Sequence, residues 1–147
     1  MVDLDILNAL KARLEAVTPP TGYTLHGVFA LPPNSLQAVP AIVLAPAGAD
    51  SISYGSGNRT TVLPITVTVY LADQANDLGR RFTDAVTWRA WLRDAILGQT
   101  QLATNYVAQA SVVSTSIGGS EAWADQNYIT ASCQVEVTVL EGVAINA

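Results

Sequence analysis

The chain has 147 residues, a formal net charge of −5 and 13% charged residues, although 50% of its residues are hydrophobic. This length fits a single domain spanning 1–147 with a substantial core, and no apolar run reaches the roughly 20 residues that cross a membrane. Only seven residues are basic, which argues against a groove that grips nucleic-acid phosphates. The N-terminus lacks the layout of a signal peptide, so we expect a soluble protein made in a cytoplasm.

Few residues of the sequence are suited to catalysis or metal binding. Cys133 and His26 are the only cysteine and histidine, which excludes thiolate zinc clusters and His-pair metal sites. Residues 55–57 lack the lysine and the following helix of a phosphate-binding loop, and no Gly-x-Ser-x-Gly elbow occurs. A hydrolase centred on His26 would need a nucleophile and an acid that the sequence does not identify. We therefore expect no catalytic residues, no cofactor and no metal.

The first half of the chain predicts one helix and two short strands. Asp3 can cap a helix that runs to about Val17 and ends before two prolines. Leucines recur at helical spacing on its inner face: Leu4, Leu7, Leu10 and Leu14. Residues 23–29 and 38–44 are predicted strands, and Pro40 places the second at a sheet edge or at a strand start.

Residues 46–61 form a Gly/Ser-rich segment without periodicity, which predicts a long loop or a hairpin arm. Ile52, Tyr54 and Arg59 would be unusual choices for a simple tether. Long loops in compact domains are often functional. We therefore consider an interaction role for these three residues beside the simpler role of a flexible connection.

The second half predicts a strand, a helix and two further strands. Alternating apolar residues define strands over 62–71 and 128–140, another strand covers 110–117, and Gly118-Gly119 is expected to open a turn. A helix is expected from roughly Leu78 to Leu97, ending at Gly98. Together the elements predict an α+β fold, a mainly antiparallel sheet with both helices on one face. The opposite face, rich in Thr, Gln and Tyr, is expected to be exposed.

The second helix carries apolar residues on two sides, which predicts a partner. At about 100° per residue, one stripe faces the core, and it consists of Leu78, Phe82, Ala85, Leu92 and Ile96. Trp88 and Trp91 lie outside that stripe, near Arg80, and aromatic and arginine side chains are enriched at interfaces. The alternative is that another part of the chain covers the tryptophans. Arg89 falls near the centre of the stripe, where a buried guanidinium would need a partner within or between chains.

This layout resembles the tail terminator and related neck proteins of long-tailed bacteriophages. The resemblance spans most of the chain and consists of a leucine-rich first helix (4–10), the strand 39–43, the long loop before residues 64–69, the helix segment 88–92 and a final strand ending at 135–139. These are matches of layout rather than of specific motifs. No catalytic or ligand residue is therefore transferred from the family.

The resemblance implies a structural virion protein, assembled in the host cytoplasm and located in the tail or neck. Its partners would be five further copies in a hexameric ring, the tail tube protein and the head connector, with DNA passing through unbound and no membrane contact. Arg80, Arg81, Trp88 and Trp91 would lie at the subunit interface, and Ile52, Tyr54 and Arg59 would contact the adjoining ring. Asp50 and Glu136 would face the lumen, where about −30 of formal charge in six copies would repel DNA phosphates.

The sequence is also compatible with other functions. A head-completion or neck adaptor protein and a tail tube subunit are also rings built from small β-rich domains. From a different class, a small ligand could bind the polar sheet face at Thr66, Thr68 and Tyr70. The first group predicts assembly, whereas a ligand-binding domain predicts a monomer with a pocket.

Overall fold

A computed structural model of the protein describes residues 2–33, 39–49, 51–55, 58–72, 78–97, 107–123 and 126–142. The elements, in chain order, are α1 (Val2–Ala16), β1 (Val28–Phe29), β2 (Ala41–Pro46), β3 (Ser51–Gly55), β4 (Asn58–Ala72), α2 (Leu78–Leu97), β5 (Val107–Trp123) and β6 (Gln126–Gly142). The two helices and the mostly antiparallel sheet confirm the predicted α+β class.

The six described strands form one sheet in the order β1-β2-β4-β6-β5, and β3 pairs with β4 outside that path. All pairings are antiparallel except the two-residue contact between β1 and β2. Because β6 pairs with β4 along residues 58–72, β2 and β3 both lie against the other edge of β4. The sheet therefore continues past the end of β2 into the hairpin of β3 and β4.

The core lies between one face of the sheet and the two helices. The alternation predicted for β4 and β6 is confirmed, because these inward residues are all buried: Leu63, Ile65, Val67, Val69, Leu71, Ile129, Ala131, Cys133, Val135, Val137 and Val139. In α1, Leu7, Leu10 and Leu14 are buried as expected, whereas Leu4 is 42% exposed and Ile6 takes its place in the core. This face supplies most of the apolar burial that stabilises the fold.

The polar face of the sheet is less exposed than the sequence predicts. Thr130 lies opposite Tyr70 and is fully buried, and Val43 and Thr68 beside it are also buried. The rings of Tyr70 and Tyr128 pack edge to face, with centroids 5.7 Å apart. Exposed residues on this face lie farther along β6 and in β5, namely Gln134, Glu136, Thr138, Leu140, Gln109, Ser111, Ser114 and Ser116. The expectation of a fully exposed face is therefore wrong in the central part of the sheet.

Three expectations about local structure need correction or refinement. The predicted strand 23–29 is reduced to β1 at 28–29. The turn expected at Gly118-Gly119 lies inside β5, where a register shift between Gly118 and Ser120 lets the strand continue to Trp123. Within 46–61, β3 and β4 pair antiparallel, so the hairpin alternative describes this segment better than a loop.

Candidate interaction surfaces

The tryptophans of α2 pack mainly against the chain's own segment that follows α1. Trp88 is fully buried, between the rings of Tyr23 and Trp91, whose centroids lie 5.8 Å and 5.3 Å from its own. Trp91 is half-buried, and its indole N–H donates a hydrogen bond of 2.8 Å to the carbonyl of Thr18. The placement of Trp88 at a subunit interface is therefore wrong, and Trp91 offers only part of its surface to a partner.

Among the described residues, the core stripe of α2 keeps Ala85, Leu92 and Ile96 of the stripe inferred from residue spacing and extends farther to one side. Its buried members are Ala85, Trp88, Leu92, Ala95 and Ile96. Trp88 thus takes a central position, and Arg89 moves to the margin of the stripe, where it is half-buried. A large aromatic contributes far more apolar area than the stem of an arginine, which explains why the stripe extends toward Trp88 rather than toward Arg89. Arg89 is therefore not the buried charge that the sequence suggested.

Two further hydrogen bonds hold the start of the chain to α2. The Tyr23 hydroxyl donates to the Asp84 carboxylate at 2.6 Å. The Arg13 guanidinium donates from Nε to the carbonyl of Ala95 at 3.0 Å. With the Trp91 bond, these contacts extend from Asp84 to Ala95 of α2. Within this part of the helix, the side that suggested a partner is largely covered by the chain itself.

Several predicted contact residues cannot be placed in full. Arg80 and Arg81 belong to α2, but their side chains lie outside the described part of the structure, as do those of Leu78 and Phe82 and the whole of Asp50. Glu136 is described and is exposed on the polar face of β6. Its proposed position in a lumen stays a prediction.

The hairpin of β3 and β4 brings together the three residues singled out in the 46–61 segment. Tyr54 lies opposite Arg59 in the register, and Ile52 lies two residues before Tyr54 on the same face of the strand. Tyr54 is 73% exposed and Ile52 is 51% exposed, while Arg59 is half-buried. We call Ile52, Tyr54 and Arg59 the hairpin patch.

The hairpin patch continues the apolar face of the sheet beyond the cover of the helices. Ile52 lies opposite Thr61, and Thr61 lies opposite the buried core residue Val139. Ile52, Thr61 and Val139 therefore share the face on which α1 and α2 pack. Thr61 and Val139 are buried, whereas Ile52 and Tyr54 are exposed, so the face ends at β3 as an accessible apolar surface.

A second surface, the outer edge of β5, was missed by the sequence analysis. Among the described strands, β5 pairs only with β6 and forms one border of the sheet. Its residues 107–120 contain no charged residue and no proline, and Val113 is 58% exposed where the register shifts. Soluble proteins commonly protect such edges with lysine or proline. The absence of charged residues and proline was the sequence signal that could have identified this surface. We call residues 107–120 the β5 edge.

The polar face offers less to a small ligand than its composition suggests. The Thr66 hydroxyl donates to the Gln134 side-chain carbonyl at 3.1 Å, and the Thr68 and Ser132 hydroxyls lie 3.3 Å apart. These polar groups form hydrogen bonds to each other across neighbouring strands.

Within the described ranges, no cluster of His, Cys, Asp or Glu side chains has the grouping of a metal site. Neither described helix combines the length and apolar character of a membrane span.

Comparison with known proteins gives no family for this chain. No protein-family model matches the sequence, and no curated protein matches it at a significant level. The features that bear on function are therefore the hairpin patch, the β5 edge and the resemblance in layout.

Proposed function

We propose that this protein is a structural virion protein, a ring-forming tail terminator that caps the tail tube of a long-tailed phage and joins it to the head connector. The observation that carries the proposal is the hairpin patch, an apolar and aromatic surface at the uncovered end of the sheet. The order of elements resembles that of the tail terminator and neck family and supports the same conclusion.

The hairpin patch has the composition of a binding surface between proteins. Tyrosine and arginine are enriched among the residues that contribute most to binding energy, and buried apolar anchors usually lie beside them. Tyr54 and Ile52 expose apolar area that no described contact within the chain removes from water. On this proposal the patch contacts the adjoining ring, at the end of the tail tube or on the connector.

The charge of the chain suits a ring through which DNA passes. Its net charge is −5 and it has one lysine, so the field of a closed ring repels phosphates. Low affinity for DNA favours passage over adhesion. Glu136 on the exposed part of β6 is the described residue best suited to line such a passage.

A tube polymerisation assay tests the proposal. Purified tail tube protein of the same phage is allowed to polymerise with and without this chain, and tube lengths are measured by electron microscopy. Tubes should stop growing at one end, each carrying a single ring of this chain. Unchanged tube lengths, or tubes built from this chain alone, would contradict the terminator role, and the second result would identify a tube subunit.

A pair of variants assigns the effect to the hairpin patch. Ile52→Ser and Leu31→Ser remove side chains of nearly equal exposure, 51% and 50%. Leu31 lies outside the hairpin. Ile52→Ser should weaken capping of the tube, whereas Leu31→Ser should cap as the wild type does. Equal capping by both variants would show that the hairpin patch is not the contact.

A further inference from the structure

We propose that the β5 edge pairs with β3 of a second copy of this chain, so that neighbouring copies share one continuous antiparallel sheet around the ring. This inference depends on the ring assembly in the proposed function and specifies the contact between subunits. It does not involve Trp88, one of the four residues predicted at the subunit interface, which is buried within the monomer.

The β5 edge is an unprotected border of the sheet. In an edge strand, the backbone N–H and C=O groups on the outer side have no partner within the sheet. Here that edge belongs to a strand of 17 residues, and its residues 107–120 carry neither charge nor proline. The exposed side chains described there are all uncharged: Gln109, Ser111, Val113, Ser114 and Ser116. Such an edge favours pairing with another strand.

β3 forms a border of the same kind on the opposite side of the sheet. One side of β3 pairs with β4, and no other described strand contacts its second side. Its sequence, Ser-Ile-Ser-Tyr-Gly, also lacks charge and proline, and residues 51–54 are exposed. Two uncharged edges can approach without repulsion or desolvation of charged groups.

The strand directions make the two edges compatible. At the level of residues 58–62 of β4, β3 and β6 lie on either side of it, and β5 follows β6. Each neighbour is antiparallel to the next, so β3 and β5 run in opposite directions. A second copy whose β3 follows β5 thus continues the antiparallel alternation. A contact between two different surfaces, repeated with a closing rotation, generates a ring.

Lysine substitutions on each edge test this contact. Ser53→Lys modifies β3 and Val113→Lys modifies β5, and both positions are exposed, so folding should be retained. Ser53→Thr and Val113→Thr are the matched uncharged controls, and circular dichroism checks the fold of all four variants. Ser53 lies outside the hairpin patch, so this test leaves Ile52, Tyr54 and Arg59 intact. Native mass spectrometry is performed at concentrations at which the wild type assembles.

The expected result is that each lysine variant alone is monomeric, while both threonine controls assemble as the wild type does. An equimolar mixture of the two lysine variants should give a 1:1 heterodimer and nothing larger. The unmodified β5 of Ser53→Lys can pair with the unmodified β3 of Val113→Lys, and both remaining edges of that dimer are blocked.

Four results would overturn the inference. Ring assembly by either lysine variant, or a mixture that stays monomeric, would place the contact elsewhere. Dimers of Ser53→Lys alone would indicate that β5 pairs with β5. A wild type that stays monomeric alone and with tail tubes would exclude the contact. The proposed function fails separately, if wild-type rings assemble through these edges but leave tube lengths unchanged.

Discussion

At the scale of single residues, Trp88 is the side chain that contributes most to the packing of α2. It is the largest of the fully buried side chains described, and it contacts Tyr23 and Trp91 edge to face. Its indole nitrogen is buried without a hydrogen-bond partner. The residue therefore stabilises the fold through apolar area and ring contacts, and its polar atom offsets part of that gain.

Replacing Trp88 tests this view of the aromatic cluster, which consists of Tyr23, Trp88 and Trp91. Trp88→Ala should lower the free energy of unfolding by about 3–5 kcal/mol, because it removes apolar contacts and leaves a cavity. Trp88→Phe should cost clearly less, since it keeps a ring and removes the unpartnered N–H. Urea denaturation followed by circular dichroism measures both. A Trp88→Ala variant as stable as the wild type would show that the cluster is not part of the core.

Tyr23 and Asp84 provide a second test at this scale. Their hydrogen bond of 2.6 Å joins the segment after α1 to α2. Tyr23→Phe keeps the ring contact with Trp88 and removes the hydroxyl, so it should cost about 1–2 kcal/mol. Combining it with Asp84→Asn in a double-mutant cycle measures the coupling between the two groups. Fully additive losses would contradict a direct bond.

Cys133 should make the free energy of unfolding vary with pH in the alkaline range. Burial raises the pKa of its thiol from 9.0 to about 11, because the thiolate is poorly solvated in the core. Between these two values the unfolded chain loses this proton before the folded chain does. The free energy of unfolding should therefore fall as pH rises through this window, by at most about 1.4 kcal/mol per unit from this group. Cys133→Ala should lose that component in urea titrations at pH 8 to 11, and an identical slope in both proteins would contradict it.

At the scale of elements, the long strands and α2 were predictable because their sequence patterns are extended. The alternation in β4 and β6 continues over many residues, and α2 matches its expected limits at Leu78 and Leu97. The prediction of a strand over 23–29 was wrong for most of its length, because only two of these residues pair with β2. In the segment before β1, the Tyr23 N–H donates to the carbonyl of Pro20 and the His26 N–H donates to the carbonyl of Pro40.

The candidate surfaces were predicted less completely than the fold. The unusual residues Ile52, Tyr54 and Arg59 were found because they interrupt a Gly/Ser-rich segment, and the structure places them together. Trp88 was misplaced because a helical wheel reveals which residues share a side, but not which side the segment after α1 covers. The β5 edge was missed because strand order depends on tertiary pairing, which periodicity does not encode.

The hairpin of β3 and β4 should bind a partner without stabilising the monomer. Ile52 and Tyr54 are mostly exposed, and exposed substitutions usually change stability by less than about 0.5 kcal/mol. The double variant Ile52→Ser/Tyr54→Ser should therefore unfold at nearly the wild-type urea concentration but fail to cap tail tubes. A large loss of stability would mean that the hairpin side chains belong to the core, and the patch would no longer qualify as a free surface.

At the scale of the whole molecule, the protein combines a core buried between the two helices and one face of the sheet with accessible strands at the borders of the sheet. The helices are held by the aromatic cluster and by hydrogen bonds from Arg13, Tyr23 and Trp91. The hairpin patch and the β5 edge remain accessible. Exposed strands of this kind need protection or a partner, and assembly into a ring would provide one.

The proposed function requires this chain to assemble into a single closed ring, and the mass of the protein in solution reports that assembly. Multi-angle light scattering should be performed on the wild type over a range of concentrations, alone and with tail tubes of the same phage. We expect one discrete assembly of a fixed number of copies, formed either alone or on the tube end, which does not grow further with concentration. Open-ended growth into tubes, or a monomer unaffected by tail tubes at every concentration, would contradict the account.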